Sequence, residues 1–324
     1  MMTTRTWFIG MFMEATAALV AAADPPYHET QTRESWWSAF WIRPATTSAA
    51  LQLAHARHLR DTGRPRAAAR AYRALASTWP ASPEAPIALY ERARLLEERG
   101  QLEDAFEQYQ QLLQRYGARC DVTDVLARQR AIADRVAQRR SMRWLLGGFS
   151  TPERALPLYE RLWSNAPNSE AAASVALTIG RIHEENREWD EAISAYARLV
   201  TLYPARPEAE EASARRVLCL WRMTQQHPNH TGALDEVSSS AAAFLTRYPE
   251  SRWASEIQTI RNQADRRRAE IAYEAARFYE RRRDPPSVVR TAYERFLEQF
   301  PNSPWSDAAR QRLRELGTSQ GTTQ

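Results

Sequence analysis

Apolar and small residues recur along this chain at helical spacing, and one arrangement returns several times. A small residue is followed after four positions by tyrosine, after three more by leucine and after five more by proline. The clear copies are Ala68-Tyr72-Leu75-Pro80, Ala155-Tyr159-Leu162-Pro167 and Ala192-Tyr196-Leu199-Pro204. Residues at i, i+4 and i+7 share one face of an α-helix. Each copy therefore predicts an amphipathic helix that packs on that face and ends at the proline.

Further copies extend the pattern with substitutions. They are Ala105-Tyr109-Leu112-Gly117, a partial copy at Phe244-Tyr248-Pro249, and Val289-Tyr293-Phe296-Pro301. Pro80 and Gly117 lie 37 residues apart, as do Pro167 and Pro204. This spacing is close to the period of ~34 residues that is typical of the tetratricopeptide repeat. The sequence therefore predicts a repeat protein.

A second helix is predicted before each copy. Residues 86–99 carry Leu89, Ala93 and Leu96 on one face and precede Gly100, while residues 174–185 place Ala176, Ile179, Gly180 and His183 in tetratricopeptide positions. One helix pair cannot bury its apolar faces alone, so successive pairs must stack. We expect an all-α, tetratricopeptide-type helix-pair solenoid, with about five to six repeats in a right-handed superhelix.

The N-terminal region differs from the repeats. An apolar stretch, interrupted at Glu14, ends in Ala21-Ala22-Ala23 before Asp24, which resembles a signal-peptide cleavage site and predicts export to the periplasm. Asp24, and no cysteine, directly follows this stretch, so the sequence does not support a lipid anchor. The following segment contains Trp36, Trp37, Phe40 and Trp41. It is interpreted as a cap on the first helix pair, with an interfacial membrane or partner contact as the alternative.

The remaining boundaries follow from the repeat spacing and from polar stretches. We interpret residues 222–240 as containing a loop inserted inside a repeat, and Val122 to Leu146 as a long helix that Gly147-Gly148 interrupts. The predicted organisation is a signal peptide at 1–23, an aromatic-rich segment at 24–45, repeats 1 and 2 at 46–118, the long helix at 119–148, the third to the C-terminal repeats at 149–316, and a disordered tail at 317–324.

Charge and chemistry restrict the function. All 44 basic residues are arginine, but 39 acidic residues are interspersed and the net charge is only +5, which argues against nucleic-acid binding.

The candidate chemical groups are few. Cys120 and Cys219 are expected to be buried thiols, and whether they pair stays open. No phosphate-binding loop or hydrolase motif occurs. The pairs His55/His58 and His227/His230 lack the further ligands that zinc needs. We expect no enzymatic activity, no cofactor and no metal.

The C-terminal half resembles a specific family. The carrying stretches are AISAYARLVTLYPARPEAEEA from Ala192, AAAFLTRYPESRWASEI after Asp235, AEIAYEAARFYERRRDPP from Ala269, and YERFLEQFPNSPWSDAARQRLREL after it. They are similar to the BamD (YfiO) family, the helical lipoproteins of the outer-membrane β-barrel assembly machinery. The match includes Ala269-Glu270 and Phe278-Tyr279-Glu280, and the resemblance extends forward to about Ser48.

The resemblance implies a non-enzymatic scaffold at the periplasmic face of the outer membrane. Its expected partners are the β-barrel assembly channel protein, bound through the C-terminal repeats, and unfolded outer-membrane proteins, bound through the N-terminal repeats. Membrane association is expected to be indirect. The alternative is a general periplasmic tetratricopeptide adaptor in envelope division or secretion. An enzyme with a site hidden between repeats is disfavoured, because no converging acid, base or nucleophile set is visible.

A peptide groove is predicted on the first helices of the repeats. When the repeats are aligned, the ninth position is an arginine in three of them, and these guanidinium groups could pair with carboxylates or carbonyls of an extended peptide. The alternative is ordinary solvated arginine. The predicted groove residues are Arg57, Arg94 and Arg181 at the ninth position, with Arg60, Tyr90 and Glu184 beside them.

Overall fold

The computed structural model describes residues 43–138, 152–226 and 230–318. Within these ranges the chain forms thirteen α-helices and no strand. In chain order the helices are α1 Ala49–Asp61, α2 Pro65–Thr78, α3 Glu84–Glu98, α4 Leu102–Tyr116, α5 Val122–Gln138, α6 Leu156–Asn165, α7 Ala172–Glu185, α8 Trp189–Leu202, α9 Glu208–Gln226, α10 Thr231–Arg247, α11 Ala254–Arg281, α12 Pro286–Gln299 and α13 Ser306–Thr318. Short 3₁₀ turns, Gly117–Arg119 and Pro152–Ala155, precede α5 and α6.

Helices that are neighbours in sequence pack as pairs. The pairs are α1/α2, α3/α4, α5/α6, α7/α8, α9/α10 and α11/α12, with α13 packed on α12. First helices of successive pairs also contact one another, as α1 does with α3, α7 with α9, and α9 with α11. This arrangement confirms the predicted all-α helix-pair solenoid.

The repeated small-tyrosine-leucine pattern forms the core. In the five full copies each of the three positions is between 0 and 5% exposed. Burying one such large side chain stabilises the fold by roughly 2 kcal/mol. The helices end just before the residue that precedes the repeat proline, because a residue in that position avoids helical geometry. Trp79, Tyr203, Tyr248 and Phe300 occupy this position and have φ between −125° and −133°.

Tyrosines also connect neighbouring repeats. The Tyr116 hydroxyl donates a hydrogen bond to the Pro80 carbonyl at 2.7 Å, and the Tyr203 hydroxyl donates to the Pro167 carbonyl at 2.6 Å. Both bonds span 36 residues. Each therefore joins equivalent turns of adjacent helix pairs and helps to fix the stacking.

The prediction of a loop inserted within residues 222–240 is wrong over most of that range. Helix α9 continues through Gln226 and α10 begins at Thr231, so only residues 227–229 between them lie outside the described chain. The His230 side chain accepts a hydrogen bond from the Ala233 N–H at 3.0 Å and caps α10. Buried Leu234 and Val237 continue the apolar face of this helix, which the polar residues around them concealed in the sequence.

Several other predictions meet the edges of the described chain. The predicted signal peptide, nearly all of the aromatic-rich segment, His227 and Gly147-Gly148 lie outside the described residues. The long helix begins at Val122 as predicted and is described as far as Gln138. Helix α13 continues through Gly317 and Thr318, which had been assigned to the tail. Cys219 is buried in α9, whereas Cys120 is only half-buried and lies in the turn before α5.

Among the described helices, none combines the length and the apolar character that crossing a bilayer requires.

Candidate protein-binding face

The first helices carry a charged cluster that is best developed in the fourth pair. Glu184 of α7 accepts a hydrogen bond from the Tyr196 hydroxyl at 2.9 Å. It also accepts from Arg215 at 3.0 Å and Arg222 at 2.9 Å, both on α9. The Glu184 side chain is only 10% exposed. One carboxylate thus connects the core tyrosine of its own pair to the first helix of the next pair.

The same arrangement recurs in two other pairs. In the second pair, Glu97 accepts a hydrogen bond from Tyr109 at 3.3 Å and pairs with Arg128 of α5 at 3.5 Å. In the sixth, Glu280 accepts from Tyr293 at 2.7 Å and pairs with Arg312 of α13 at 2.6 Å. We call these groups the tyrosine–glutamate–arginine clusters. In the third pair Asp134 takes the acidic position, with Tyr159 donating at 2.5 Å.

The first pair reverses the charges. Arg60 occupies the position that is acidic in the later pairs, and it pairs with Glu91 of α3 at 2.9 Å. The partners are 31 residues apart, as are Glu97 and Arg128. The Tyr72 hydroxyl is buried without a hydrogen-bond partner among the described residues, because no carboxylate stands opposite it. The first pair is therefore electrostatically distinct from the others.

The predicted groove residues all lie on first helices, but the structure divides them into two groups. One group lies on α7, and the other lies on α1 and α3. Arg181 and Glu184 lie around a cavity of about 420 Å³ whose lining is Arg181, Glu184, Glu185, Arg215 and Arg222. Tyr90 belongs to the α3–α5 junction, where it donates to Asp124 at 2.6 Å and accepts from Arg128 at 3.0 Å. Among the described residues no hydrogen bond or ion pair joins the two groups.

The three ninth-position arginines differ in their surroundings. Arg181 pairs with Glu211 at 2.6 Å. Arg94 pairs with Glu98 of its own helix at 3.6 Å, and both side chains are exposed. Arg57 is exposed and forms no ion pair within the described chain. The last two are therefore the arginines most available to a ligand, since an exposed pair of this kind contributes little.

Sequence reasoning missed the partners that hold this face together. Glu97, Glu211, Arg128 and Arg215 were not identified as site residues. A signal was present in the sequence, because an acidic residue stands twelve positions before the core tyrosine in the second and fourth pairs, at Glu97 and Glu184. An arginine follows each of these glutamates after 31 positions.

Burial and neighbouring charges shift the pKa values of three groups at the Glu184 cluster. Burial, followed by the charge of Glu184, raises the pKa of Tyr196, so its hydroxyl stays a donor. Burial alone would raise the pKa of Glu211, but hydrogen bonds from Arg215 and Arg181 lower it below its ordinary value. Burial also raises the pKa of Cys219 to about 12, so this thiol stays protonated and unreactive near neutral pH. The described residues contain no group of three or more histidine, cysteine or acidic side chains that could hold a metal.

The arginine runs at residues 266–268 and 281–283 form ion pairs at the surface. Arg267 pairs with Glu270 at 2.7 Å, and Arg268 with Asp265 at 3.0 Å. Around the turn between α11 and α12, Phe278 is 50% and Val288 is 41% exposed. Tyr279 is 37% exposed, and its ring centroid lies 6.1 Å from that of Phe278. We call these three exposed apolar side chains, on both sides of the turn, the apolar patch.

Two stretches of the chain match known protein families. Residues 53–119 match the tetratricopeptide repeat model. Residues 152–293 match the model of YfiO, described as an outer membrane lipoprotein. These two stretches are therefore similar to the tetratricopeptide repeat and to the YfiO family, and neither match covers half of the chain. The YfiO match extends from the turn before α6 into α12 and contains the Glu184 cluster. It begins well after Ser48, so the family match is narrower than the resemblance in the sequence.

Three solved structures show weak similarity to this chain. MamA of Desulfovibrio magneticus RS-1 is 18% identical, with 63% of this chain and 97% of that chain covered and a TM-score of 0.27. A thermophilic tetratricopeptide protein of Thermus thermophilus is 19% identical, with 67% and 98% covered and a TM-score of 0.30. A repeat protein from Cytophaga hutchinsonii is 14% identical, with 82% and 88% covered and a TM-score of 0.29. A search of curated proteins finds no match.

Proposed function

We propose that this chain is a non-enzymatic periplasmic scaffold of the β-barrel outer-membrane assembly machinery, working at the periplasmic face of the outer membrane. It binds the assembly channel protein and nascent barrel segments. The observation that carries this proposal is the match of residues 152–293 to an outer membrane lipoprotein family. The repeat fold supports the scaffold role, because stacked helix pairs offer long surfaces to protein partners.

The proposed substrate surface is the first-helix side of the first two pairs. An unfolded barrel segment offers backbone carbonyls and carboxylates along an extended chain, and guanidinium groups bind both. Arg57 is unpaired within the described residues, and the exposed Arg94–Glu98 pair can exchange its partner for a ligand at little cost. The reversed charges at Arg60 and Glu91 set this part of the array apart from the later pairs.

The double variant Arg57→Glu/Arg94→Glu should weaken the binding of a labelled, unfolded barrel peptide about fivefold. Two solvent-accessible charges are reversed, and each contributes a fraction of a kcal/mol to about 1 kcal/mol at such a surface. Fluorescence anisotropy at constant ionic strength measures the effect. The matched control is Arg115→Glu/Arg295→Glu, which reverses two exposed arginines on the second helices α4 and α12.

The control separates a local contact from an effect of net charge. The proposal expects the control to bind within about twofold of the parent chain, because its arginines lie away from the proposed surface. Unchanged affinity in the Arg57/Arg94 variant, with its circular dichroism spectrum preserved, would place the substrate elsewhere on the chain.

The proposed dock for the channel protein is the patch of Phe278, Tyr279 and Val288. Aromatic residues beside arginines are the composition that protein interfaces favour. Arg282 lies over the Phe278 ring, with the guanidinium carbon 5.6 Å from the ring centroid, and adds positive charge at the edge of the patch. An acidic surface on the channel protein's periplasmic domains would complement it.

The second candidate is a general periplasmic tetratricopeptide adaptor in envelope division or secretion. One observation favours it. The first two pairs match the general tetratricopeptide repeat model, and the YfiO match begins only at residue 152. The substrate-binding half is thus the part with the less specific family match.

A further inference from the structure

A second concave surface lies on the opposite side of α3 from the Glu97 cluster. Tyr90 and Glu97 are seven residues apart and share one side of this helix, whereas Arg92 and Arg99, also seven apart, share the other. Together with α2 and α4 this other side encloses a cavity of about 350 Å³. We call it the outer cleft. It is lined by Arg66, Ala69, Arg70 and Arg73 of α2, by Arg92, Leu96 and Arg99 at α3, and by Gln101, Asp104, Glu107, Gln108 and Gln111 at α4.

The outer cleft has an excess of positive charge. Five arginines face two carboxylates, and both carboxylates have partners of their own. Glu107 is bound by Arg161 through both of its oxygens, and Asp104 accepts a hydrogen bond from Gln101 at 3.2 Å. In the described part of the chain no ion pair is formed by Arg66, Arg70 or Arg99. This contrasts with the first-helix face, where Arg60, Arg128, Arg181 and Arg215 each have an acidic partner.

Besides the arginines, the outer cleft has apolar side chains at its floor and glutamine side chains on its α4 wall. Leu96 and Ala69 are buried and form an apolar base. Gln108 and Gln111 present amide groups, which can donate to a backbone carbonyl and accept from a backbone N–H. The Arg92 guanidinium donates to the Gln108 side-chain oxygen at 2.7 Å and thereby fixes the orientation of that amide. The combination matches an extended polypeptide with acidic side chains.

We propose that the outer cleft binds an acidic, extended segment of a partner protein. Its carboxylates pair with Arg66, Arg70 and Arg99, and its backbone is held by the glutamine side chains of α4. A flat anionic membrane fits this surface poorly, because the arginines line a concavity and two carboxylates lie among them. The outer cleft is on the other side of α3 from the proposed substrate surface, so this inference does not depend on the proposed function.

The test uses the full chain and a fluorescein-labelled peptide in which glutamate alternates with serine. The triple variant Arg66→Glu/Arg70→Glu/Arg99→Glu should bind it at least about tenfold more weakly than the parent chain, because three solvent-facing charge pairs become repulsive. The matched control is Arg206→Glu/Arg295→Glu/Arg314→Glu, which makes the same change in net charge at exposed arginines elsewhere. It should stay within about twofold. A peptide with glutamine in place of glutamate should not bind.

Three results would overturn the inference. The parent chain could fail to bind the acidic peptide, or the control triple could lose as much affinity as the cleft triple, which would mean diffuse electrostatic attraction. The third is arginine-dependent binding to phosphatidylglycerol vesicles with no binding of the peptide, which would assign the cleft to a membrane surface. Circular dichroism checks the fold of each variant. If the reversal triple is unfolded, the neutral Arg66→Gln/Arg70→Gln/Arg99→Gln triple replaces it, with a loss of at least about fivefold expected.

Discussion

Replacing Glu184 by alanine should lower the free energy of unfolding of the fourth and fifth helix pairs by about 2–3 kcal/mol. The substitution leaves the buried Tyr196 hydroxyl without its acceptor and removes an anionic partner from Arg215, whose side chain is 24% exposed. An unsatisfied buried hydroxyl costs about 1–3 kcal/mol, and breaking a buried ion pair costs more. The ion pair between Glu184 and Arg222 adds nothing to this figure, because Arg222 is half exposed and solvent screens the interaction.

The measurement combines urea denaturation of the whole chain with amide hydrogen exchange in α7, α8 and α9. Exchange is needed because long repeat arrays can unfold in parts. Glu185→Ala is the matched control, since Glu185 is the adjacent, more exposed carboxylate and has no ion pair within the described chain. It should change stability by no more than about 0.5 kcal/mol. Equal effects of the two substitutions would mean that the cluster does not stabilise the stacking.

Replacing glycine by alanine should lower the free energy of unfolding at one helical position of this chain and raise it at another. At Gly180 an added Cβ would stand 2.4 Å from a ring carbon of Tyr196, which is fully buried and hydrogen-bonded to Glu184. Overpacking costs about 1–3 kcal/mol, whereas the higher helix propensity of alanine returns at most about 1 kcal/mol. Gly180→Ala should therefore destabilise the chain by about 1–2 kcal/mol.

At Gly232 the added Cβ would meet, among the residues that the structure describes, only the His230 ring, at a contact distance of 3.4 Å. Gly232→Ala, near the start of α10, should raise the free energy of unfolding by a few tenths of a kcal/mol. Thermal unfolding of both variants measures whether each substitution stabilises or destabilises the chain. A stabilising Gly180→Ala would mean that α7 and α8 do not approach as closely as the structure has them.

The helix pairs could be predicted from the sequence because their core is periodic and local. Ala192, Tyr196 and Leu199 occupy one helix face whatever surrounds them, and the proline that follows ends the helix. The loop prediction failed for a related reason. Between Gln226 and Val237 the polar residues outnumber the apolar ones, and the buried positions Ala233 and Leu234 are few enough to escape notice.

The charged clusters could not be predicted in the same way. A partner such as Arg215 reaches Glu184 only after two helix pairs have stacked, so the contact depends on the packing between pairs. Arginines at the ninth position suggested a uniform ladder, but their partners differ. Arg181 pairs with Glu211 of the next helix pair, whereas Arg94 pairs with Glu98 of its own helix. Within the described residues Arg57 forms no ion pair and Arg94 forms only an exposed one, so these two remain the predicted groove arginines that a ligand could reach.

The measurement that tests the central claim most directly is affinity purification of the tagged full chain from detergent-solubilised native membranes, followed by mass spectrometry. The account predicts strong enrichment of the β-barrel assembly channel protein over a mock purification. That enrichment should fall when Phe278 and Tyr279, both exposed in the proposed dock, are replaced by alanine. Recovery of only soluble periplasmic proteins, or of division or secretion components, would contradict the claim and make the general adaptor the better description.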